Sequence, residues 1–153
     1  MSAQLQAVGV IVLLIGAAYG YQRPLVTWHW SGDRRLIGRL DEDYGCYVTV
    51  TVDGVPFRML VDTGSDDLAF NRSHLQKLGL DKKPLTYSES IGTSNGIVQS
   101  APIVVHELRI GGFVLHDVQA MVDYAGADEP LLGMSVIKHM HLEIDHNGCE
   151  LRW

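Results

Sequence analysis

The segment 60–68 constrains this chain more than any other, because an apolar strand runs directly into an acidic residue. Its sequence is Leu-Val-Asp-Thr-Gly-Ser-Asp-Asp-Leu. Gly64 permits a tight backbone and the close approach of a substrate. The hydroxyls of Thr63 and Ser65 can hydrogen-bond locally and hold the turn. The sequence therefore predicts that the Asp62 carboxylate stands in a sharp loop at the end of a strand.

Length and charge limit the domain count and the function classes. The chain has 153 residues, a formal net charge of −6 and no long run of Lys or Arg. That length suits one domain with appendages, and the charge argues against a nucleic-acid partner. Cys46 and Cys149 are too few for a disulfide scaffold. Two buried thiols are the favoured interpretation, although the two residues could pair in an oxidising compartment.

The N-terminus carries an unbroken apolar run at residues 7–18, followed by Tyr19 and Tyr21. A helix that spans a bilayer needs about 20 mostly apolar residues, and tyrosines suit a membrane interface. We predict that residues 1–22 form a hydrophobic helix that anchors the protein in a membrane through residues 7–21. A cleaved signal peptide and a buried helix are the alternatives; residues 1–6 lack the Lys or Arg that a signal peptide usually has there.

Residues 23–40 are predicted to form a linker, because Pro24, Gly32 and Gly38 interrupt them and their charges show no period. Three alternatives stay open for the segment around Trp28 and Trp30. It could sit at the bilayer surface, cover part of the domain, or form an edge strand.

From residue 45 onward the apolar residues alternate with polar ones, which indicates strands. Residues 45–52 and 55–61 form a predicted hairpin around Asp53-Gly54, a two-residue turn signal. Further strands are predicted at residues 103–110, 113–122, 142–145 and 149–153. Short helices are predicted at residues 74–78, where Asn71 offers a cap, and at 134–139. Residues 41–153 are thus predicted to form one mostly β domain.

The two halves of this domain share a plan of elements. The segment Leu131-Leu132-Gly133 stands in the second half where Val61-Asp62-Thr63-Gly64 stands in the first, and a short helix follows both. Between the halves, residues 86–98 form a predicted polar hairpin with an Asn-Gly tip signal.

These motifs resemble those of the retropepsin-like, or retroviral-type, aspartic proteases. The resemblance covers residues 45–153 and is carried by Asp62-Thr63-Gly64-Ser65, by Thr93-Ser94-Asn95-Gly96 and by Leu131-Leu132-Gly133-Met134. With the N-terminal segment, the chain looks like the membrane-anchored bacterial members of that family. The resemblance implies an all-β, closed retropepsin-like barrel with one or two short helices.

The resemblance also implies an aspartic endopeptidase that works as a homodimer on protein or peptide substrates, without metal or cofactor. It implies a single-pass protein of the bacterial inner membrane with its protease domain in the periplasm. The charge rule favours the opposite orientation, because four arginines follow the apolar run: Arg23, Arg34, Arg35 and Arg39. The histidines His139, His141 and His146 do not provide three convergent metal ligands.

Family roles carry over to matching residues only. Asp62 would be the catalytic acid and base, Thr63 would bond across the dimer, and Gly64 would accept the substrate backbone. Ser65 would support the Asp62 carboxylate. The remaining residues are implied to bind substrate: Asp66, Asp67, Gly92, Thr93, Ser94, Asn95 and Gly96.

One departure concerns the residue after Gly133. Retroviral enzymes have an arginine there, which pairs with the position of Asp66, whereas this chain has Met134. Arg35 or Arg39 could replace it, or Asp66 could be solvated.

Only one Asp-Thr-Gly occurs in the chain, and its second-half counterpart carries no acid. Hydrolysis of a peptide bond by carboxylates needs two of them close together, so the second must come from Asp62 of a twofold-related copy. The alternative is a catalytically silent module of the same fold that binds peptides or dimerises at the membrane.

Overall fold

The central hairpin forms because its residues alternate between an apolar and a polar face. The structure is a computed structural model that describes residues 8–10 and 27–153. Strands β4 (Cys46–Val52) and β5 (Val55–Val61) pair antiparallel. Residues Asp53 and Gly54 join them with φ values of 46° and 83°, as a two-residue hairpin turn of this hand requires. The predicted hairpin is confirmed.

Ten further strands and two short helical segments complete the described part of the chain. The strands before the first helical turn are β1 (Val8–Val10), β2 (Thr27–Trp30), β3 (Arg35–Leu40) and β6 (Leu68–Asn71). The later strands are β7 (Glu89–Thr93), β8 (Gly96–Ile110), β9 (Phe113–Asp123), β10 (Leu131–Leu132), β11 (His141–Asp145) and β12 (Gly148–Arg152). A 3-10 turn spans Arg72–His74, and helix α1 spans Met134–Ile137.

Six of these strands close into a barrel. Around the ring, β4 pairs with β5, β5 with β10, β10 with β6, β6 with β9, β9 with β8, and β8 again with β4. The inward side chains form one apolar core, in which the rings of Phe57 and Phe70 meet edge to face at 5.4 Å. The predicted all-β, closed retropepsin-like fold is confirmed.

The interpretation of residues 23–40 as a linker is wrong where the structure describes them from residue 27 onward. Strand β2 pairs with β9, and β3 pairs with both β12 and β4. The sequence pattern does not indicate strand β3, because Gly38 occupies the buried, inward position between Leu36 and Leu40. An apolar side chain would ordinarily stand there. A Cβ at Gly38 would overlap the sulfur of Cys149. The segment therefore forms strands, as one alternative held, but not an edge strand, because β2 and β3 each pair on both sides.

Most of the N-terminal hydrophobic segment lies outside the described residues. Of residues 1–22, only Val8–Val10 are described, and they form a strand that pairs with β2 rather than part of a helix. Within residues 8–10 and 27–153, no helix has the length and apolarity needed to cross a membrane. The membrane anchor, its orientation and the inner-membrane location stay predictions.

Of the two predicted helices, only the second is present. Residues 75–79 form turns instead of the helix predicted at residues 74–78. A 3-10 turn at Arg72–His74 precedes them and is capped by the side chain of Asn71, which accepts from the N–H of Ser73 at 2.8 Å. The second helix, α1, ends at Ile137, two residues before the predicted end.

The two cysteines form a disulfide, so the favoured interpretation as free thiols is wrong. Cys46 lies on β4 and Cys149 on β12, with 6.0 Å between their Cα atoms. Strand β3 lies between these strands, and in register its Gly38 stands beside Cys149. Because glycine has no side chain, Gly38 leaves room for the sulfur. This arrangement involves three strands, and the spacing of the cysteines in the sequence does not reveal it.

Removing this disulfide should destabilise the domain. The bond closes a loop between residues 103 positions apart, and such cross-links typically stabilise a fold by about 2–5 kcal/mol. We expect the double variant Cys46→Ala, Cys149→Ala to lose free energy of unfolding in that range in urea titrations. Dithiothreitol should lower the urea midpoint of the wild type and leave that of the variant unchanged. An equal midpoint for the wild type with and without the reductant would contradict the bond.

Candidate active site

Two strands of the barrel fix the backbone at Asp62. Strand β10 runs parallel to the end of β5, with Leu132 opposite Val61. The N–H of Asp62 then donates to the carbonyl of Leu132 at 3.0 Å. Because both strands belong to the barrel wall, the acidic residue leaves a rigid element at a set position, as a site that must hold its geometry requires.

The Asp62 carboxylate is held from within its own loop. Its Oδ1 accepts the N–H of Gly64 at 2.8 Å, and no other hydrogen bond reaches the carboxylate from the described residues. Ser65, expected to support this carboxylate, donates its hydroxyl instead to the carbonyl of Asp67 at 3.0 Å. The serine therefore stabilises the shape of the loop, and one carboxylate oxygen of the half-buried Asp62 remains for other partners.

The segment after β10 packs directly behind this loop. The N–H groups of Met134 and Ser135 donate to the carbonyls of Ser65 and Asp66, both at 2.7 Å. These N–H groups open helix α1 and lack partners within it, so the loop carbonyls satisfy them. A Cβ at Gly133 would overlap the carbonyl oxygen of Asp67. The apolar-apolar-Gly segment and the helix after it thus support the Asp62 loop from behind.

The two acidic residues that follow differ in surroundings. Asp66 is exposed and forms no ion pair within the part of the chain that the structure describes. Arg35 and Arg39 extend from exposed positions of β3 and form no ion pair with Asp66 within the described residues of one chain. Asp67 is half-buried, and its carbonyl accepts the Ser65 hydroxyl. Of the alternatives left open for Asp66, solvation describes the single chain.

The loop opens onto a cleft of about 1080 Å³ whose opposite side is the hairpin of β7 and β8. Ser94 and Asn95 form the tip, and Thr93 ties its hydroxyl to the carbonyl of Gly96 at 2.8 Å. Except for Thr63 and Gly96, every predicted site residue lines this cleft: Asp62, Gly64, Ser65, Asp66, Asp67, Gly92, Thr93, Ser94 and Asn95.

Several lining residues were not predicted. Glu89 comes from the stem of the hairpin, Gln119 from β9, and residues 125–127 from the loop after β9. Asp123 also lines the cleft, is buried, and accepts the hydroxyl of Ser100. In the sequence, the one signal for these lining residues was the acidic composition of residues 123–129. Their place in the cleft follows from barrel closure, which brings β9 beside the Asp62 loop.

Among residues 8–10 and 27–153, no three His, Cys, Asp or Glu side chains are grouped to hold a metal ion. His74 and His139 are instead partly buried. Burial, together with neighbouring Lys77, lowers the pKa of His74 below its usual value. Burial and neighbouring Lys138 lower the pKa of His139 in the same way.

Comparison with known proteins agrees with this geometry. The family model described as "gag-polyprotein putative aspartyl protease" matches residues 48–139, more than half of the chain. The crystal structure of a retropepsin-like aspartic protease from Rickettsia conorii is similar to this chain with a TM-score of 0.67 and 30% identity. That similarity covers 78% of this chain and 98% of the Rickettsia protein.

The chain belongs to the retropepsin-like aspartic protease family. More distant structures share the fold: the EIAV protease has a TM-score of 0.52 at 19% identity, over 65% of this chain and 90% of that one. The retroviral protease-like domain of Ddi1 from Leishmania major has a TM-score of 0.50 at 17% identity, over 70% of this chain and 93% of the domain.

Two curated relatives carry no functional description. One is an uncharacterized protein in the cobV 5′ region of Sinorhizobium sp, 37% identical over 61% of this chain. The other is the uncharacterized protein RP867 of Rickettsia prowazekii, 30% identical over 86% of this chain. The retropepsin-like chain spans 41% and 62% of their respective lengths, less than two thirds of each.

Adding a methyl group at Gly133 should disturb the Asp62 loop. We expect Gly133→Ala to lower the free energy of unfolding by about 1–3 kcal/mol, as overpacking of a buried site does, because the new Cβ would lie 2.7 Å from the Ser65 carbonyl. The matched control is Gly92→Ala, where no atom lies within 4 Å of the new Cβ. Urea unfolding measures both variants, and equal stabilities would contradict the packing described.

Acid should destabilise the fold through the buried histidines. Because folding lowers the pKa of His74 and His139, the unfolded chain takes up protons first as the pH falls below about 6.5. Their contribution to stability is complete above that pH and declines below it. Between pH 7 and 5, His74→Gln should give a shallower fall in the free energy of unfolding than the wild type. The double variant His74→Gln, His139→Gln should show a still shallower fall. A fall as steep as that of the wild type would contradict the role given to these two histidines.

Proposed function

We propose that the protein is an aspartic endopeptidase whose active site pairs Asp62 of one protomer with Asp62 of a second. The observation that carries the proposal is the place of Asp62 on a braced loop at the floor of a cleft. Family membership supports a protease of this kind. The Leu131-Leu132-Gly133 segment, which lies beside the loop and carries no acid, supports the need for a second chain.

Two carboxylates brought within about 3 Å cannot both ionise, because the like charges repel; aspartic proteases are the standing example of this effect. One carboxylate of the pair stays ionised and takes a proton from a water molecule, which attacks the substrate carbonyl. The other is protonated, polarises that carbonyl, and the pair later delivers a proton to the leaving nitrogen. Water attacks directly, so no acyl-enzyme forms.

The cleft suits an extended peptide. The hairpin of β7 and β8 has an exposed tip and polar residues facing the cleft. A hairpin of that kind can open for substrate and close over it. In this proposal Thr63 bonds across the dimer, Gly64 offers its carbonyl to the substrate backbone, and Asp66 and Asp67 bind the substrate from the loop side. The residues 92–96 bind it from the hairpin side.

The variant Asp62→Asn should abolish cleavage while leaving the fold and the dimer intact. Loss of a general acid and base costs at least about 100-fold in rate. A peptide library digested by wild type and variant, with statine-type inhibition of the wild type, provides the measurement. Unchanged cleavage by Asp62→Asn would refute the mechanism. A domain that dimerises and binds peptides but cleaves none between about pH 3 and 7 would be the silent binding module instead.

Mixing the two proteins tests the shared site. If each active dimer needs two Asp62 residues, the remaining activity of freely exchanging wild-type and Asp62→Asn chains at a fixed total concentration should equal the square of the wild-type fraction. A linear decline would mean that one chain carries a complete site.

A further inference from the structure

The loop 124–129 forms one wall of the cleft but does not hold its own shape. Ala125, Gly126 and Ala127 line the cleft. Within the described chain, no backbone hydrogen bond joins two residues of this loop. A loop of this kind, without internal bonds, takes its position from contacts with neighbouring elements.

The capped turn at residues 71–74, here the Asn71 turn, supplies two successive contacts along that loop. The guanidinium of Arg72 lies 4.5 Å from the centre of the Tyr124 ring. The amide Nδ2 of Asn71 donates to the carbonyl of Ala127 at 2.7 Å. One turn therefore holds the start and the middle of the loop.

The Asn71 side chain performs two separable tasks. Its oxygen accepts the N–H of Ser73 at 2.8 Å and so caps the turn. Its nitrogen reaches 56 residues along the chain to the loop. Asn71 is buried, at 8% exposure, and a buried amide that lost one of these bonds would leave an unsatisfied partner. The cap needs only an acceptor, so the donor function belongs to the loop contact alone.

We propose that Asn71 is a positioning residue for substrate specificity: through its amide donor it sets the 124–129 loop against the substrate in the cleft. This inference rests on the proposed function, in which the cleft binds the substrate. Asn71 touches neither the Asp62 loop nor the reacting atoms, so it acts through the loop backbone. Its loss should weaken substrate binding and alter which side chains are accepted, with little effect on the chemical step.

The variant Asn71→Asp separates the two tasks. Aspartate is nearly isosteric and caps a helix as well as asparagine does, but its carboxylate has no hydrogen to donate to Ala127. We expect KM for peptide substrates to rise at least about threefold with kcat within about twofold of wild type. The cleavage profile should change at the substrate positions beside the loop, and amide hydrogens of residues 125–128 should exchange faster.

Acid should rescue the variant Asn71→Asp. Once protonated, the carboxyl group that it introduces regains an O–H donor, so the ratio of variant to wild-type KM should fall toward one as the pH is lowered through the carboxyl range. A purely structural defect would not be repaired by acid. The cap-preserving variant Asn71→Ser, too short to reach Ala127, should show the same KM defect without acid rescue.

The matched control is Ser73→Ala, which removes the serine hydroxyl that contacts Asn71 Oδ1 and leaves the Ala127 bond. It should keep the wild-type KM and profile. Faster exchange in Asn71→Asp with unchanged KM and profile would overturn the proposal, as would an equal effect in Ser73→Ala.

If the wild type cleaves no peptide, the proposed function fails independently. The dissociation constant of a statine-type peptide then decides the inference. Weaker binding in Asn71→Asp but not in Ser73→Ala supports the role of Asn71, and equal binding in all three proteins overturns it.

Discussion

The hydrogen bonds between the Asp62 loop and the segment after β10 are the constraint on which the site depends. Asp62 donates to Leu132, and the first N–H groups of α1 donate to Ser65 and Asp66. These bonds join residues about 70 positions apart in sequence and require Gly133, since any side chain there would overlap the loop. The carboxylate is therefore fixed by the second half of the chain, which itself contributes no acid.

Barrel closure then arranges the cleft around that loop. Strand β9 lies beside β6 and carries Asp123 and the 124–129 loop to the same side as Asp62. The long strand β8 belongs to the barrel at one end and to the hairpin over the cleft at the other. A single strand thus connects the rigid core to the hairpin that, in the proposed function, opens for a peptide and closes over it.

Two contacts outside the Asp62 loop also hold parts of the domain in place. The Cys46–Cys149 bond ties the terminal sheet of β3, β12 and β11 to the barrel. The Asn71 turn holds the far wall of the cleft by side-chain contacts instead of strand pairing. Such contacts permit small adjustments that strand pairing would not, and this difference suits the role proposed for the wall in substrate specificity.

The sequence by itself determined the strands with alternating residues, the Asp53-Gly54 turn, and the place of Leu131-Leu132-Gly133 as counterpart of the Asp62 segment, because each depends on local chemistry or a family motif. It also identified nine of the 22 residues that line the cleft. Only the tertiary structure decided that β3 is a strand, because Gly38 interrupts its pattern. It also decided that Cys46 and Cys149 pair, that Ser65 bonds to Asp67 rather than to Asp62, and that Asn71 reaches Ala127. The cysteine pair and the Asn71–Ala127 bond depend on distances between segments far apart in the chain. The Ser65 bond depends on the folded shape of its own loop, and no local pattern encodes any of the three.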